Sequence, residues 1–366
     1  MRDRRWIILV FVFLCNVVIA HEDENFNWWN PAQNNFPVIE GRASAGAVAN
    51  PYDRFPAKMQ PLVREVLWSK SQQSTGLIIK FRTNAASVHV RYKVNGERAF
   101  EHMPATGVSG LDLYALNQNG SWEWTGATYI FADTIRYFYD ALSPDGEREY
   151  NLYLPLYNKV EWLEIGVPQQ ASFTPIPLKT EKPLVVYGTS IAQGGCASRP
   201  GMAWTAILGR RTKMPMVNLG FSSNGLLEKP VVDLLLEVDA AVYILDCLPN
   251  LVLSLPAEEI KKRLLETVRT IRKQKPGIPI VLTEHADANI NVMNTRDDHM
   301  FKQVNQLGYT TFKELKAEGI KGLYFLSAKK IGLNNESTVD GSHPNDQGME
   351  RYANAYERLI RKILKR

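Results

Sequence analysis

The sequence is poor in the residue patterns that hold metals or carry phosphate chemistry. Only three cysteines occur in 366 residues, and one of them, Cys15, sits inside an apolar N-terminal run. The six histidines are scattered, with no H-E-x-x-H and no paired cysteine spacing, so no metal is expected. No G-x-G-x-x-G opens a helix, and GTSIAQGG lacks the lysine of a phosphate loop, so no cofactor is expected either. The net charge is +5, yet cations and anions are mixed and no basic stripe carries aromatics. Nucleic acid is therefore not an expected partner. The densest basic cluster, RLIRKILKR at the C-terminus, reads as a solvated helix face. Beyond the N-terminus no run is long and apolar enough to span a bilayer.

The N-terminus itself reads as an export signal. Arg2, Arg4 and Arg5 precede WIILVFVFLCNVVIA, which closes on small and apolar residues before the polar HEDEN. That order predicts a signal peptide over residues 1–20, with an uncleaved anchor as the alternative. Bulky Leu14 ahead of Cys15 speaks against lipidation. The mature chain is expected to be periplasmic or extracellular, without stable membrane insertion. Cleavage leaves Cys196 and Cys247, which either pair or stay as two buried thiols.

What is present divides into two halves. Residues 21–175 contain short β-rich runs such as GLIIKFRT, SVHVRYKV, ATYIFA, REYNLYLPL and VEWLEIGV, separated by turns such as VNGE and QNGS. This predicts an all-β sandwich. The aromatics in WEW, YFY and YLPLY read as core and cross-strand pairs, and Trp28-Trp29 as packing from an early loop. Proline-rich ASFTPIPLKTEKP reads as a linker. Residues 176–366 alternate apolar strands (PLVVYGT, MVNLGFS, AAVYILDC, IPIVLTEH, GLYFLSAKK) with helical segments. That alternation predicts an α/β domain, a doubly wound parallel sheet with its ligand site at the carboxyl ends of the strands.

The chemistry-bearing residues fall at those ends. Ser190 follows the first strand, NLGFSSNG the second, and LDCLPN, ending at Asn250, the third. DGSHPNDQG offers Asp340 and His343 just before the last helix. Acyl transfer needs this inventory: a hydroxyl nucleophile, an imidazole, a carboxylate to orient it, and oxyanion donors. Taken singly, each has a plainer reading. Ser190 could cap a helix, Asn250 a turn, and DGSHPND the last helix. Asp112 and Tyr114 read as structural, at a turn or between the domains. Arg199 is either a substrate contact or a helix cap, and Glu284–His285 either pocket lining or a buried polar pair. Their collinear order along one sheet favours catalysis.

These residues resemble the SGNH (GDSL-like) hydrolase superfamily. Ser190 in YGTSI, Ser223–Asn224 in NLGFSSNG, Asn250 in DCLPN and Asp340–His343 in DGSHPND carry the likeness. Gly110, Leu111, Asp112, Leu113 and Tyr114, with ASRPG at 197–201, are similar to a two-domain branch whose β domain bears G-x-D-L-Y. The resemblance implies a flavodoxin-like parallel sheet, with Ser190 as nucleophile, His343 as general base and then acid, and Asp340 as its partner. It implies an oxyanion hole from Ser223, Asn250 and Gly220, with Arg199 and Asn224 as candidate substrate contacts. Two departures stand out: Ser223 where relatives commonly have glycine, and Thr189 where the name-giving motif has Asp. The expected activity is a cofactor-free, secreted serine esterase removing acetyl or other short acyl groups from carbohydrate. The alternatives are hydrolysis of longer acyl chains and a non-catalytic carbohydrate-binding protein.

Overall fold

The structure, a computed structural model, describes residues 25–44, 46–143, 146–286 and 298–365. The expected signal peptide at 1–20, with Cys15, lies outside the described residues.

Five strands of the C-terminal half, Leu184–Gly188, Met216–Gly220, Val242–Asp246, Ile280–Thr283 and Leu323–Leu326, all pair in parallel. Their spatial order is second, first, third, fourth, fifth, the flavodoxin-like doubly wound arrangement. The first three strands are buried at every position because both faces are covered. Alternation along the first strand divides the cover. Val185 and Tyr187 join one core with Val231, Leu264 and Val304, while Leu184 and Val186 join the other with Trp204, Tyr352 and Tyr356. The first strand has neighbours on either side that the chain reaches in opposite directions. The crevice outside its carboxyl end is therefore the switch point of the sheet, and Ser190 stands there.

The N-terminal half is a sandwich of two antiparallel sheets. One runs in the order Phe26–Trp29, Lys159–Pro168, Val88–Asn95, Ile135–Tyr139, Thr128–Ile130. The other runs Phe173–Pro175, Ile78–Thr83, Arg148–Tyr153, Asp112–Leu116, Trp122–Thr125, with Ile39–Glu40 also pairing Ile78–Thr83. Val90 and Tyr92 of the first sheet meet Phe81, Leu113 and Leu152 of the second in one core. Two readings of the sequence are corrected. Trp28 and Trp29 lie in an edge strand, not a loop, with the Trp28 ring over Gly166, where a Cβ would come within 2.9 Å of it. Part of the proline-rich linker, Phe173–Pro175, is an edge strand, where proline is tolerated because no further partner needs its N–H.

The two halves are joined by a buried arginine. Arg54 is fully buried and has no carboxylate among its hydrogen-bond partners. Its guanidinium donates instead to four carbonyls: Gln73 (2.9 Å), Lys70 (2.6 Å), Asn218 (3.2 Å) and Gly220 (2.7 Å). The charge rests on the Phe221 ring, 4.4 Å from its centroid. Burial pulls its pKa down to about 9, which leaves it protonated at neutral pH. Replacing it by methionine strands the buried carbonyls of Asn218 and Gly220, each costing ~1–3 kcal/mol. Arg54→Met is therefore expected to lose ~3 kcal/mol or more of stability, read from urea midpoints. A loss below ~1 kcal/mol would show that water or a rearranged backbone takes over its role.

Candidate active site

The first strand ends at Gly188, and Thr189 caps the short helix Ser190–Gln193, its hydroxyl accepting from Ile191 N–H (3.3 Å). The cap expected of Ser190 thus belongs to Thr189, the residue standing where the family motif has Asp. Ser190 occupies the first helical position, where the backbone N–H has no partner within the helix. The residue is 8% exposed, and Oγ lies 2.7 Å from His343 Nε2. On the other side of the ring, Nδ1 lies 2.7 Å from Asp340 Oδ2. Asp340 Oδ1 also accepts from the N–H groups of His343 (2.7 Å) and Ser342 (3.0 Å), which fixes the turn holding both residues. Burial opposes charge on Asp340. The His343 ring, the His343 N–H and the Ser342 N–H together outweigh it and hold the carboxyl well below its ordinary range. Asp340 is therefore an anion throughout the neutral range. The three residues form one continuous chain of hydrogen bonds.

Next to it lies the loop after the second strand. Ser223 adopts φ +59°, the left-handed region that favours glycine. Its N–H takes no acceptor among the described residues, and neither does that of Ser190. Asn250 Oδ1 accepts from Gly225 N–H (3.0 Å), leaving its Nδ2 without a partner among the described residues. Gly225 is so close to the end of the first strand that a Cβ there would stand 2.4 Å from Gly188 O. The Asn250 amide is therefore tied to the backbone beside Ser190, with its donor end free. Ser190 N–H, Ser223 N–H and Asn250 Nδ2 are thus backbone and amide donors of this loop cluster without an acceptor among the described residues.

Several expected roles need correction. Gly220 is not a free donor, because its N–H is engaged by Asn218 Oδ1 (2.8 Å). It is glycine because a Cβ would stand 2.2 Å from Gln193 N. Asn224 is not placed to contact substrate: it is buried, receives Arg64 Nη2 (2.8 Å) and donates to Ser222 O (2.8 Å). Arg199 makes no helix-capping bond with its side chain. It forms an ion pair with Asp112 (2.7 Å), donates to Tyr114 Oη (2.8 Å) and lies over the Trp124 ring. Asp112 also accepts from Gly201 N–H and Trp124 Nε1, both at 2.8 Å, so the G-x-D-L-Y segment is an interdomain clamp. Cys196 and Cys247 are free and buried. Burial, followed by the nearby Asp340 charge, pushes the Cys196 thiol up to about 12, so it stays protonated.

Sequence reasoning missed Gln193. Its Oε1 accepts from Ser222 N–H (2.8 Å), and its Nε2 donates to Leu156 O (3.0 Å) and Gln73 Oε1 (2.7 Å). One buried amide thus couples the helix after Ser190, the donor loop and the β domain. The available signal was a lone amide among small residues in GTSIAQGG, where burial demands partners. Arg54 gave no signal, since nothing in PYDRFP distinguishes it from a surface arginine.

His285 lies beneath the Asp340–His343 turn, with Nε2 3.5 Å from Ser342 Oγ and its ring against Phe301. It is not paired with Glu284, whose carboxylate accepts from Ala328 N–H (2.8 Å). Burial, then the neighbouring His343, pulls the His285 pKa down to about 3, with Asp340 acting weakly the other way. The folded protein therefore keeps His285 neutral, whereas the unfolded chain protonates it near pH 6.5. Its contribution to stability is complete above that pH and is lost on acidification towards pH 3, by ~1.4 kcal/mol per unit. Buried Asp246, raised to about 7 by burial, tilts the parent's curve in the opposite sense, so the comparison is with a variant. His285→Gln should gain on the parent as pH falls from 6.5 to 4.5 in urea titrations. Parallel curves would mean that His285 does not stay neutral.

Comparison with known proteins accords with this geometry. Residues 181–361 match the GDSL-like Lipase/Acylhydrolase family, and residues 26–173 match the N-terminus of Esterase_SGNH_hydro-type proteins. No curated protein matches the chain. A Bacteroides ovatus protein assigned as a GDSL-like lipase is 32% identical with a TM-score of 0.84, over 93% of this chain and 98% of that one. The salicylyl-acyltransferase SsfX3 of a tetracycline biosynthetic pathway shares the fold at 20% identity and a TM-score of 0.74, over 93% and 98% of the two chains. An acetyl xylan esterase of Butyrivibrio proteoclasticus does so at 10% identity and 0.53, over 93% and 99%. With its G-x-D-L-Y β domain ahead of the parallel sheet, the chain belongs to the two-domain GDSL-like (SGNH) lipase/acylhydrolase family of carboxylic ester hydrolases.

Proposed function

We propose that the protein is an exported serine esterase that removes acetyl or other short acyl groups from carbohydrate, with Ser190, His343 and Asp340 as its triad. The observation that carries the mechanism is the unbroken chain from Ser190 Oγ through His343 to Asp340, with both hydrogen bonds at 2.7 Å. His343 Nε2 takes the Ser190 proton as Oγ adds to the ester carbonyl, and Asp340 stabilises the imidazolium that forms. The oxyanion is received by Ser190 N–H, Ser223 N–H and the Asn250 amide. His343 then protonates the leaving alcohol as its bond to the acyl carbon breaks, giving the acyl-serine. Water, deprotonated by the same imidazole, attacks that acyl group and frees the acid and Ser190.

Two further observations support the substrate class. His343 and Asp340 side chains are 29% and 44% exposed, so the reacting centre sits on an open rim that a bulky sugar can approach. Carbohydrate esterases of Cellvibrio japonicus and Clostridium thermocellum share this fold at 11–12% identity. Export follows from the charged and apolar character of residues 1–20.

Ser190→Ala should abolish hydrolysis of p-nitrophenyl acetate; activity equal to the parent's would remove the esterase from this site. Asn250→Ala should lower kcat by ~10²–10³ with little change in KM, as expected for a donor used in the transition state. Across p-nitrophenyl esters, acetate should be turned over faster than decanoate, and an optimum beyond octanoate would point to lipid rather than sugar esters. Acetate release from acetylated polysaccharides tests the alcohol directly.

A further inference from the structure

The turn Phe100–Met103 is one of the places where the β domain reaches the reacting centre. It is closed by Phe100 N–H to Met103 O (2.9 Å) and Met103 N–H to Phe100 O (3.1 Å). Met103 is 2% exposed and packs in the hydrolase core with Ile191 and Ala197. Next to the turn, Thr106 Oγ1 donates to Ser198 O (2.7 Å), so the segment is pinned to the loop after Ser190. Phe100 meets Tyr157 edge-on at 5.5 Å between ring centroids, and the Tyr157 hydroxyl donates to Ser190 O (3.4 Å). At the tip of the turn, exposed His102 stacks on Phe100 (5.9 Å, 20°) and stands 6.3 Å from the His343 ring.

His102 differs from the other histidines in view. His89, His285, His299 and His343 each engage a ring nitrogen with a protein group. Both ring nitrogens of His102 are without a hydrogen-bond partner among the described residues, although its ring is already held by stacking. Its position also selects which half of an ester it can meet. The acyl carbonyl must face the donors around Ser223 and Asn250, whereas the alcohol oxygen must face His343 Nε2, which returns its proton. A group beside His343 therefore borders the alcohol. Exposed Glu101 next to it adds a hydrogen-bond acceptor to a donor and a ring face, the mixed chemistry that recognises a polyhydroxylated ring.

We infer that the Glu101–His102 turn is the subsite for the sugar that carries the ester, with His102 its main contact, so that the β domain sets specificity for the alcohol. This inference rests on the carbohydrate-esterase reading of the site. It is tested by measuring kcat/KM for an acetylated methyl glycoside and for ethyl acetate, whose alcohol is too small to reach past His343, in the parent and in His102→Ala. The ratio of glycoside to ethyl acetate activity should fall about tenfold, mainly through KM, the size expected for one lost polar or ring contact. His102→Gln should recover part of that ratio by restoring a hydrogen-bonding group. A damaged fold lowers both substrates together and leaves the ratio unchanged; an unchanged ratio overturns the subsite. A parent that hydrolyses ethyl acetate but no acetylated glycoside overturns the carbohydrate reading and the subsite with it. A parent inert towards both overturns the esterase itself.

Discussion

The hydrogen bond of 2.7 Å between Ser190 and His343 joins residues 153 positions apart, and most of the C-terminal half can be understood as the means of making it. A hydroxyl at the end of a buried central strand is presented at a fixed point by the parallel sheet. The imidazole arrives from the opposite end of the domain on a turn that Asp340 ties from inside, through one side-chain and two backbone hydrogen bonds. The last helix then secures that turn to the first. Asp346, in its opening turn, accepts from both the backbone and the side chain of Ser198. Such convergence on one strand end is what a doubly wound sheet provides at its switch point.

Buried polar contacts, beside the apolar packing of residues such as Met103 and Phe55, align the β domain with the site. Arg54, the Gln73–Gln193 pair and the Asp112–Arg199 pair are all largely withdrawn from water, where a lost partner is costly and a shifted one is not tolerated. Arg54 holds the carbonyl of Gly220, the last residue before the donor loop, while Gln193 holds the N–H of Ser222 within it. The left-handed backbone of Ser223 is stabilised by this surrounding lattice. A non-glycine residue at φ +59° costs of order 1 kcal/mol, and it persists where neighbours over-determine the chain. The same alignment leaves a partly enclosed cavity of about 210 Å³ between the domains, lined among others by Lys80, Asn151 and Arg210 but not by Ser190.

The period of the apolar residues determined the order of strands and helices, the parallel sheet and the sandwich before it. The collinear Ser190, Asn250, Asp340 and His343 determined where chemistry should be sought, because each stands where a strand end or helix start must expose it. Local pattern carries such information, since alternation and helix caps depend on near neighbours. Short edge strands such as Phe26–Trp29 and Phe173–Pro175 were not legible, because their pairing depends on a partner far along the chain. Only the tertiary structure decided that Arg199 faces Asp112 rather than a substrate, that Gly220 gives space rather than a donor, and that Cys196 and Cys247 remain thiols. It alone brought Arg54, Gln193 and His102 to the site. A buried polar side chain is defined by partners distant in sequence, and no periodicity records which partners folding will supply.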